Sequence, residues 1–215
     1  MNRTFTLMVS LVFAFGIRAF GQAPSVHPAL DRASYTVKFI WKNGATAAAS
    51  PGNALPSEVA VQRFDGIQNS KITWLDGKQT EDWADGPLLV TRSPVGDWLN
   101  VMNIQSEEAS SAWRALTLSA FGSWATGDAF KEENTIQERR VFRFERKSPS
   151  DDSNETLWID AVSLLPVAYE NSDLKGVFTF WNAPSSPLSP PQEYVKKLSR
   201  FRELDATPVR LSGGK

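Results

Sequence analysis

A mainly antiparallel β protein with a few helices is the fold class that this 215-residue sequence predicts. Three observations carry that reading. Short runs alternate between apolar and polar residues, the period of a strand with one buried face. Gly- and Asp-bearing turn signals separate the runs at short intervals, which makes pairing of consecutive strands the default. The prolines fall mostly outside these runs, where no ladder donor is needed.

The elements follow in chain order. Met1-Asn2-Arg3, an apolar stretch from Phe5 to Ile17 and small residues near Ala19 and Gly21 describe a signal peptide. The stretch is shorter than the roughly 20 residues that span a bilayer. Residues 1–22 are therefore expected to be removed, with the cut after Gly21 favoured over Ala23, because Pro24 would follow the latter. Residues 23–32 read as a linker, 33–204 as one domain and 205–215 as a frayed tail.

Tyr35, Val37, Phe39 and Trp41 alternate with Thr36 and Lys38 in a half-buried strand, and Asn43-Gly44 stops it. The segment from Ala45 to Pro56 reads as a loop. Val59 and Val61 mark a strand ending at Asp65-Gly66, and Lys71 to Leu75 another ending at Asp76-Gly77. Short pieces follow around Trp83 and at Pro87 to Thr91, then a strand from Asp97 to Ile104. Ser106-Glu107-Glu108 caps an expected helix whose apolar positions are Ala109, Ala112, Trp113, Leu116 and Ala120. Gly122 to Gln137 reads as a long connection. Strands return at Arg140 to Arg146, Glu155 to Asp160, Leu165 to Glu170 and Gly176 to Trp181. A charged terminal helix is expected from Glu193 to Leu204.

The chemistry is bounded by what is missing. There is no cysteine and a single histidine, His27, close to the expected mature start. A histidine-based triad, a transition-metal site and a disulfide framework thus have almost no residues to be built from. No phosphate-cradling glycine loop is present. Acidic pairs occur at Glu81-Asp82, Glu107-Glu108, Glu132-Glu133 and Asp151-Asp152. Two carboxylates across one cleft would support a hydrolase, whereas adjacent acids on turns and helix starts ordinarily face water. The full chain carries 23 Lys+Arg and 24 Asp+Glu; without Arg3 and Arg18 this becomes 21 against 24, a net of −3. That balance gives no electrostatic footprint for nucleic acid or for an anionic membrane. No cofactor is expected.

The eight tryptophans are the informative residues. Several strands look apolar on both faces: Ile40 opposes Phe39 and Trp41, Trp158 opposes Leu157 and Ile159, and Phe178 and Phe180 oppose Val177 and Trp181. A sheet with one wet face alternates more cleanly. A curved sheet with its hollow side covered by helix and loops satisfies the pattern and leaves an apolar cavity. The candidate lining residues are Phe39, Trp41, Trp74, Trp113, Phe142, Trp158, Phe178 and Phe180.

The stretch Leu157-Trp158-Ile159-Asp160 to Leu165-Pro166-Val167-Ala168-Tyr169-Glu170 resembles the characteristic hairpin of the outer-membrane lipoprotein carrier (LolA/LolB-like) superfamily. Gly176 to Trp181 resembles that family's next strand, and Pro190-Pro191 its close; Trp74 to Gly77 fits its opening part loosely. The family's hairpin turn usually holds Thr-Gly where this chain has Ser163-Leu164. The resemblance implies an incomplete curved barrel with helices over its mouth, and a monomeric, non-catalytic periplasmic carrier of a lipid or lipoprotein acyl chain. Two other readings stay open: an exported β module for protein–protein interaction or envelope assembly, and a secreted hydrolase using paired carboxylates.

Overall fold

The computed structural model describes residues 31–42, 55–93, 98–104, 112–117, 124–148 and 152–205. The expected signal peptide, His27, most of the Ala45–Pro56 loop, the Ser106-Glu107-Glu108 cap and Asp151 lie outside them.

Eleven strands form one antiparallel sheet. They are β1 (Arg32–Trp41), β2 (Pro56–Phe64), β3 (Ile67–Trp74), β4 (Gln79–Asp85), β5 (Leu88–Arg92), β6 (Leu99–Asn103), β7 (Phe130–Ile136), β8 (Arg139–Lys147), β9 (Asn154–Asp160), β10 (Pro166–Glu170) and β11 (Leu174–Trp181). Their order across the sheet is β6-β5-β4-β3-β2-β1-β11-β10-β9-β8-β7. Two meanders, β1–β6 and β7–β11, are thus joined where the first strand pairs with the last. The edges β6 and β7 do not pair with each other, so the sheet stays open. Register shifts at Pro56/Glu58, Phe130/Glu132 and Pro166/Ala168 mark β-bulges, which bend strands and raise their twist. The open, curved antiparallel architecture expected from the sequence is what the chain adopts.

Side-chain alternation divides the sheet into two faces. On the inner face β1 buries Ala33, Tyr35, Val37 and Phe39, paired across β2 with Val59 and Val61 and across β11 with Gly176 and Phe178. Leu157 and Ile159 of β9 and Phe144 of β8 continue this core. A four-residue helix, α1 (Ala112–Ala115), lies over it and adds Trp113 and, just beyond its end, Leu116. Gly176 permits that cover to come close: a Cβ there would lie 3.0 Å from Leu116 Cδ1 and 3.2 Å from Val37 Cγ1.

The outer face carries a second core. Helix α2 (Gln192–Asp205) sets Tyr194, Leu198 and Phe201 at one-turn spacing against Trp83, Leu88 and Val90. The Tyr194 hydroxyl donates to the Glu81 carbonyl at 2.8 Å, and Arg202 pairs with Asp85 at 2.7 Å. Trp83 Nε1 is the single buried side-chain donor among the described residues without a hydrogen-bond partner. Apolar residues on both faces of β4 and β5 thus have a direct cause: the sheet is covered on both sides there.

One expectation needs correction. The long connection from Gly122 to Gln137 contains a strand, β7, whose sequence FKEENTI is almost wholly exposed. Its charges hid it from a pattern search, and they are what an edge strand uses to discourage pairing with other chains. Within the expected helix at residues 109–120, Ala112–Ala115 is helical and Leu116 and Thr117 form a turn, while the remainder lies outside the described residues. The longest helix among the described residues is α2, which buries one stripe and leaves the rest charged.

Turns follow the chemistry of their residues. Asp65 and Gly66 both take positive φ, 47° and 88°, as a two-residue hairpin loop between right-twisted strands requires. In the β9–β10 turn Asp160 Oδ1 accepts from the Val162 and Ser163 amides at 3.0 and 2.8 Å, and these bonds hold its carboxyl below the usual range. Leu164, where a glycine would be at ease, sits at φ 57°.

Substitution Gly176→Val is expected to lower stability by about 1–3 kcal/mol through overpacking against Leu116 and Val37. Adding Leu116→Ala in the same chain should recover part of that loss. Thermal or denaturant unfolding measures both, and a single variant as stable as the parent would contradict the close approach.

Candidate functional site

The inner face is the candidate site because it gathers most of the aromatic residues that the sequence singled out. Phe39 stands 6.2 Å from Trp41 and 6.4 Å from Trp113, ring centre to ring centre, and Trp113 stands edge-on to Trp74 at 5.9 Å. Tyr35 lies 5.2 Å from Phe180 and 6.4 Å from Phe178. Phe142 meets Phe130 at 6.1 Å, and Phe130 meets Phe144 at 5.7 Å. Edge-to-face and tilted contacts at these distances suit the aromatic quadrupole. Two indoles are anchored at their polar end: Trp41 Nε1 donates to the Pro56 carbonyl at 2.8 Å and Trp74 Nε1 to Thr80 Oγ1 at 2.9 Å.

Phe39, Trp41, Trp74, Phe142, Phe178 and Phe180 thus share one face, with Trp113 covering it. Trp158 does not join them. It pairs with Arg143 and Ala168 on the outer face, where the Lys175 ammonium sits 5.7 Å from its ring. A one-residue step in a strand reverses the side chain, and Leu157 and Ile159 take the inner positions.

Burial along this face is uneven. Tyr35, Val37, Phe144, Leu157 and Ile159 are sealed, whereas Trp41, Trp124, Phe130, Phe142, Leu164 and Phe180 pack against the core while keeping part of their surface in solvent. Phe180, Leu164 and Phe142 gather towards one end of the sheet. Phe180 pairs with Tyr35, and the β10 bulge brings Pro166 opposite Ile159, which in turn pairs with Phe142.

A buried polar cluster that sequence reasoning missed occupies the β2–β5 part of the same face. Arg63, Gln68, Ser70, Asp82, Thr91 and Thr117 are all buried. Arg63 donates to Gln68 Oε1 through Nε (3.2 Å) and Nη2. Gln68 Nε2 reaches Ser70 Oγ at 2.9 Å and the Thr117 carbonyl at 3.0 Å, and the Tyr35 hydroxyl donates to that same carbonyl at 3.0 Å. Arg114 of α1 donates to Asp82 Oδ2 at 2.8 Å. The cover is therefore held to the sheet by polar bonds at Thr117 and Arg114 as well as by Trp113 and Leu116. The signal in the sequence was slight: Arg63, Gln68 and Asp82 sit in strands at positions whose alternation points inward.

Two of the acidic pairs lie wholly within the described residues, and their carboxylates are already engaged. Glu132 and Glu133 pair with Arg143 and Arg140 at 2.6 Å on the exposed edge. Glu81 accepts from Asn69 at 2.7 Å and points away from Asp82, its neighbour in the strand. Burial pushes the Asp82 carboxyl up to about 6, against the opposing pull of Arg114 and the Arg92 amide.

No protein-family model and no curated protein matches the chain. Solved structures similar to it include lipoprotein LppX from Mycobacterium tuberculosis, with 9% identity over 75% of this chain and 90% of that one at a TM-score of 0.43. LprF from Mycobacterium bovis shows 12% identity over 74% and 89%, at 0.38. A LolA superfamily protein from Nitrosomonas europaea shows 10% identity over 80% and 95%, at 0.35.

Because Asp82 titrates near 6 in the folded chain and near its ordinary 3.8 when unfolded, the folded state holds the extra proton between those values. This group's contribution is most favourable below about pH 4 and declines as pH rises to about 6, by on the order of 3 kcal/mol. Asp82→Asn should flatten the stability–pH curve across that window. Superimposable curves for the two proteins would contradict the assignment.

Proposed function

We propose that the chain is a non-catalytic, envelope-located binder of an apolar ligand, a lipid or an acyl chain, held on the inner face of its curved sheet. The observation that carries this reading is the set of half-exposed apolar side chains on the covered face: Phe180, Leu164, Phe142, Phe130, Trp124 and Trp41. Apolar groups packed beside a core yet still touching water are where a hydrocarbon gains most. Each buried methylene contributes about 0.8 kcal/mol.

Leu164 supports the same reading. A leucine at φ 57° carries a steric cost of about 1–2 kcal/mol that a glycine would escape, and its side chain stands among the half-exposed apolar residues. Such strain is retained where the surroundings over-determine it, a pattern common at ligand sites. In this reading the signal peptide directs export, residues 33–204 act as one domain, and the mature chain works as a monomer. The cover, α1, opens to admit the ligand.

The rival reading is an exported module that binds other proteins and has a solid interior. It draws support from Trp113 and Leu116, which fill the inner face over β1, β3 and β11.

Titration of the detergent-free protein with a fluorescent acyl probe such as cis-parinaric acid is expected to saturate at one site. Organic extraction of freshly purified protein should release acyl species. Absence of both would remove the carrier reading in favour of the rival. Leu164→Gly should leave the Tm near that of the parent, since relief of backbone strain offsets lost packing. The same change should weaken probe binding about tenfold; unchanged affinity would remove Leu164 from the site.

A further inference from the structure

Arg63 is nine-tenths buried, at 9% exposure, on the inner face of β2. A guanidinium in that position is expensive unless a counter-charge accompanies it. Among the described residues no carboxylate lies within ion-pair distance of it; its hydrogen bonds are the two to the neutral oxygen of Gln68. Asp82, the buried carboxylate of the same polar cluster, is engaged by Arg114 at 2.8 Å and by the Arg92 amide at 3.3 Å. Among the described residues the cluster therefore holds two arginines against one aspartate. Gln68 is itself fixed by Ser70 and the Thr117 carbonyl, so the guanidinium is held from one edge. Among the described residues two of its five N–H donors are used, both on Gln68.

The position is as informative as the charge. Arg63 pairs with Ala33, one inward-facing step along β1 from Tyr35, whose ring touches Phe180. From β2 the face runs through Tyr35, Phe180 and Ile159 to Phe142 on β8. Five inter-strand steps of about 4.8 Å make this about 24 Å, the scale of a long acyl chain. A fixed cation thus stands at one end of an apolar track whose half-exposed members are Phe180, Leu164 and Phe142, with Tyr35 and Ile159 forming its sealed floor.

We propose that Arg63 is the headgroup anchor of the site, and that the ligand is an anionic amphiphile whose carboxylate or phosphate docks on the guanidinium while its chain lies along Phe180, Leu164 and Phe142. The inference rests on the acyl-binding reading above and narrows it from apolar ligands in general to those with an acidic head. A bidentate contact between a guanidinium and an oxyanion supplies direction as well as attraction. It sets which end of the chain enters, and it discriminates against neutral lipids, which would leave Arg63 buried and uncompensated.

The test compares cis-parinaric acid with its methyl ester on the wild-type protein and on Arg63→Gln. The wild type should bind the acid about 10- to 100-fold more tightly than the ester. In Arg63→Gln that preference should vanish while ester affinity is kept. Competition by palmitate and by phosphatidic acid distinguishes the two sources of the acidic group, with palmityl alcohol as the neutral control. Equal affinity for acid and ester on the wild type would overturn the anchor and leave the acyl-binding reading standing. Binding of neither probe would overturn both. Should Arg63→Gln fail to fold, the wild-type comparison decides alone.

Discussion

The pairing of β1 with β11 is the constraint on which the rest of the molecule depends. Ser34 to Trp41 lie against Trp181 to Leu174 in unbroken register, joining residues some 140 positions apart. Without this seam each meander would keep a bare edge, and the inner face would be two half-faces. With it, Tyr35, Val37 and Phe39 become the centre of a continuous apolar surface flanked by Val61 and Val59 on one side and Phe180, Phe178 and Gly176 on the other. Non-local pairing of this kind must bear its loop-closure entropy before any contact rewards it, so such topologies fold slowly.

The seam also fixes what the connection between the meanders must do. β6 and β7 are consecutive in sequence but stand at opposite edges, so the chain from Ile104 to Ala129 has to travel from one edge to the other. Its described part, α1, crosses the inner face and is bound there at chemically different points: Trp113 among aromatics, Leu116 over Gly176, Thr117 under Tyr35 and Gln68, and Arg114 on Asp82. Apolar contacts of this kind are tolerant of small shifts. The polar ones are not, because separating them would strand buried donors and a buried charge. The cover is thereby given one registered position.

Most of the strands were legible because burial on one face imposes a period of two, and the chain obeys it wherever a single face is covered. Tyr35, Val37 and Phe39 are the clear instance. β7 was not legible, since FKEENTI has no apolar side to alternate: at an edge, with its side chains in solvent, the selective pressure is charge rather than burial. Trp158 was legible as a strand residue and illegible in direction. Its neighbours Leu157 and Ile159 are equally apolar, and only the register with Phe144 and Phe142 decides which of them turns inward. Arg63, Gln68 and Asp82 looked like ordinary surface residues because a local pattern cannot tell a polar residue facing water from one facing a buried partner.

By itself the sequence determined an antiparallel sheet built from short strands, the Asp-Gly turns, the absence of thiol chemistry and the abundance of aromatic surface. These follow from local propensity and from composition, which act over a few residues. The tertiary structure alone decided that the two ends of the sheet meet in its centre, that six of the candidate aromatics share a face that Trp113 covers, and that a buried guanidinium stands at the edge of that face without a carboxylate among the described residues. Those facts arise from pairings between segments far apart in the chain. The register of such pairings is set by which surfaces can be buried together, and no window of neighbouring residues contains that information.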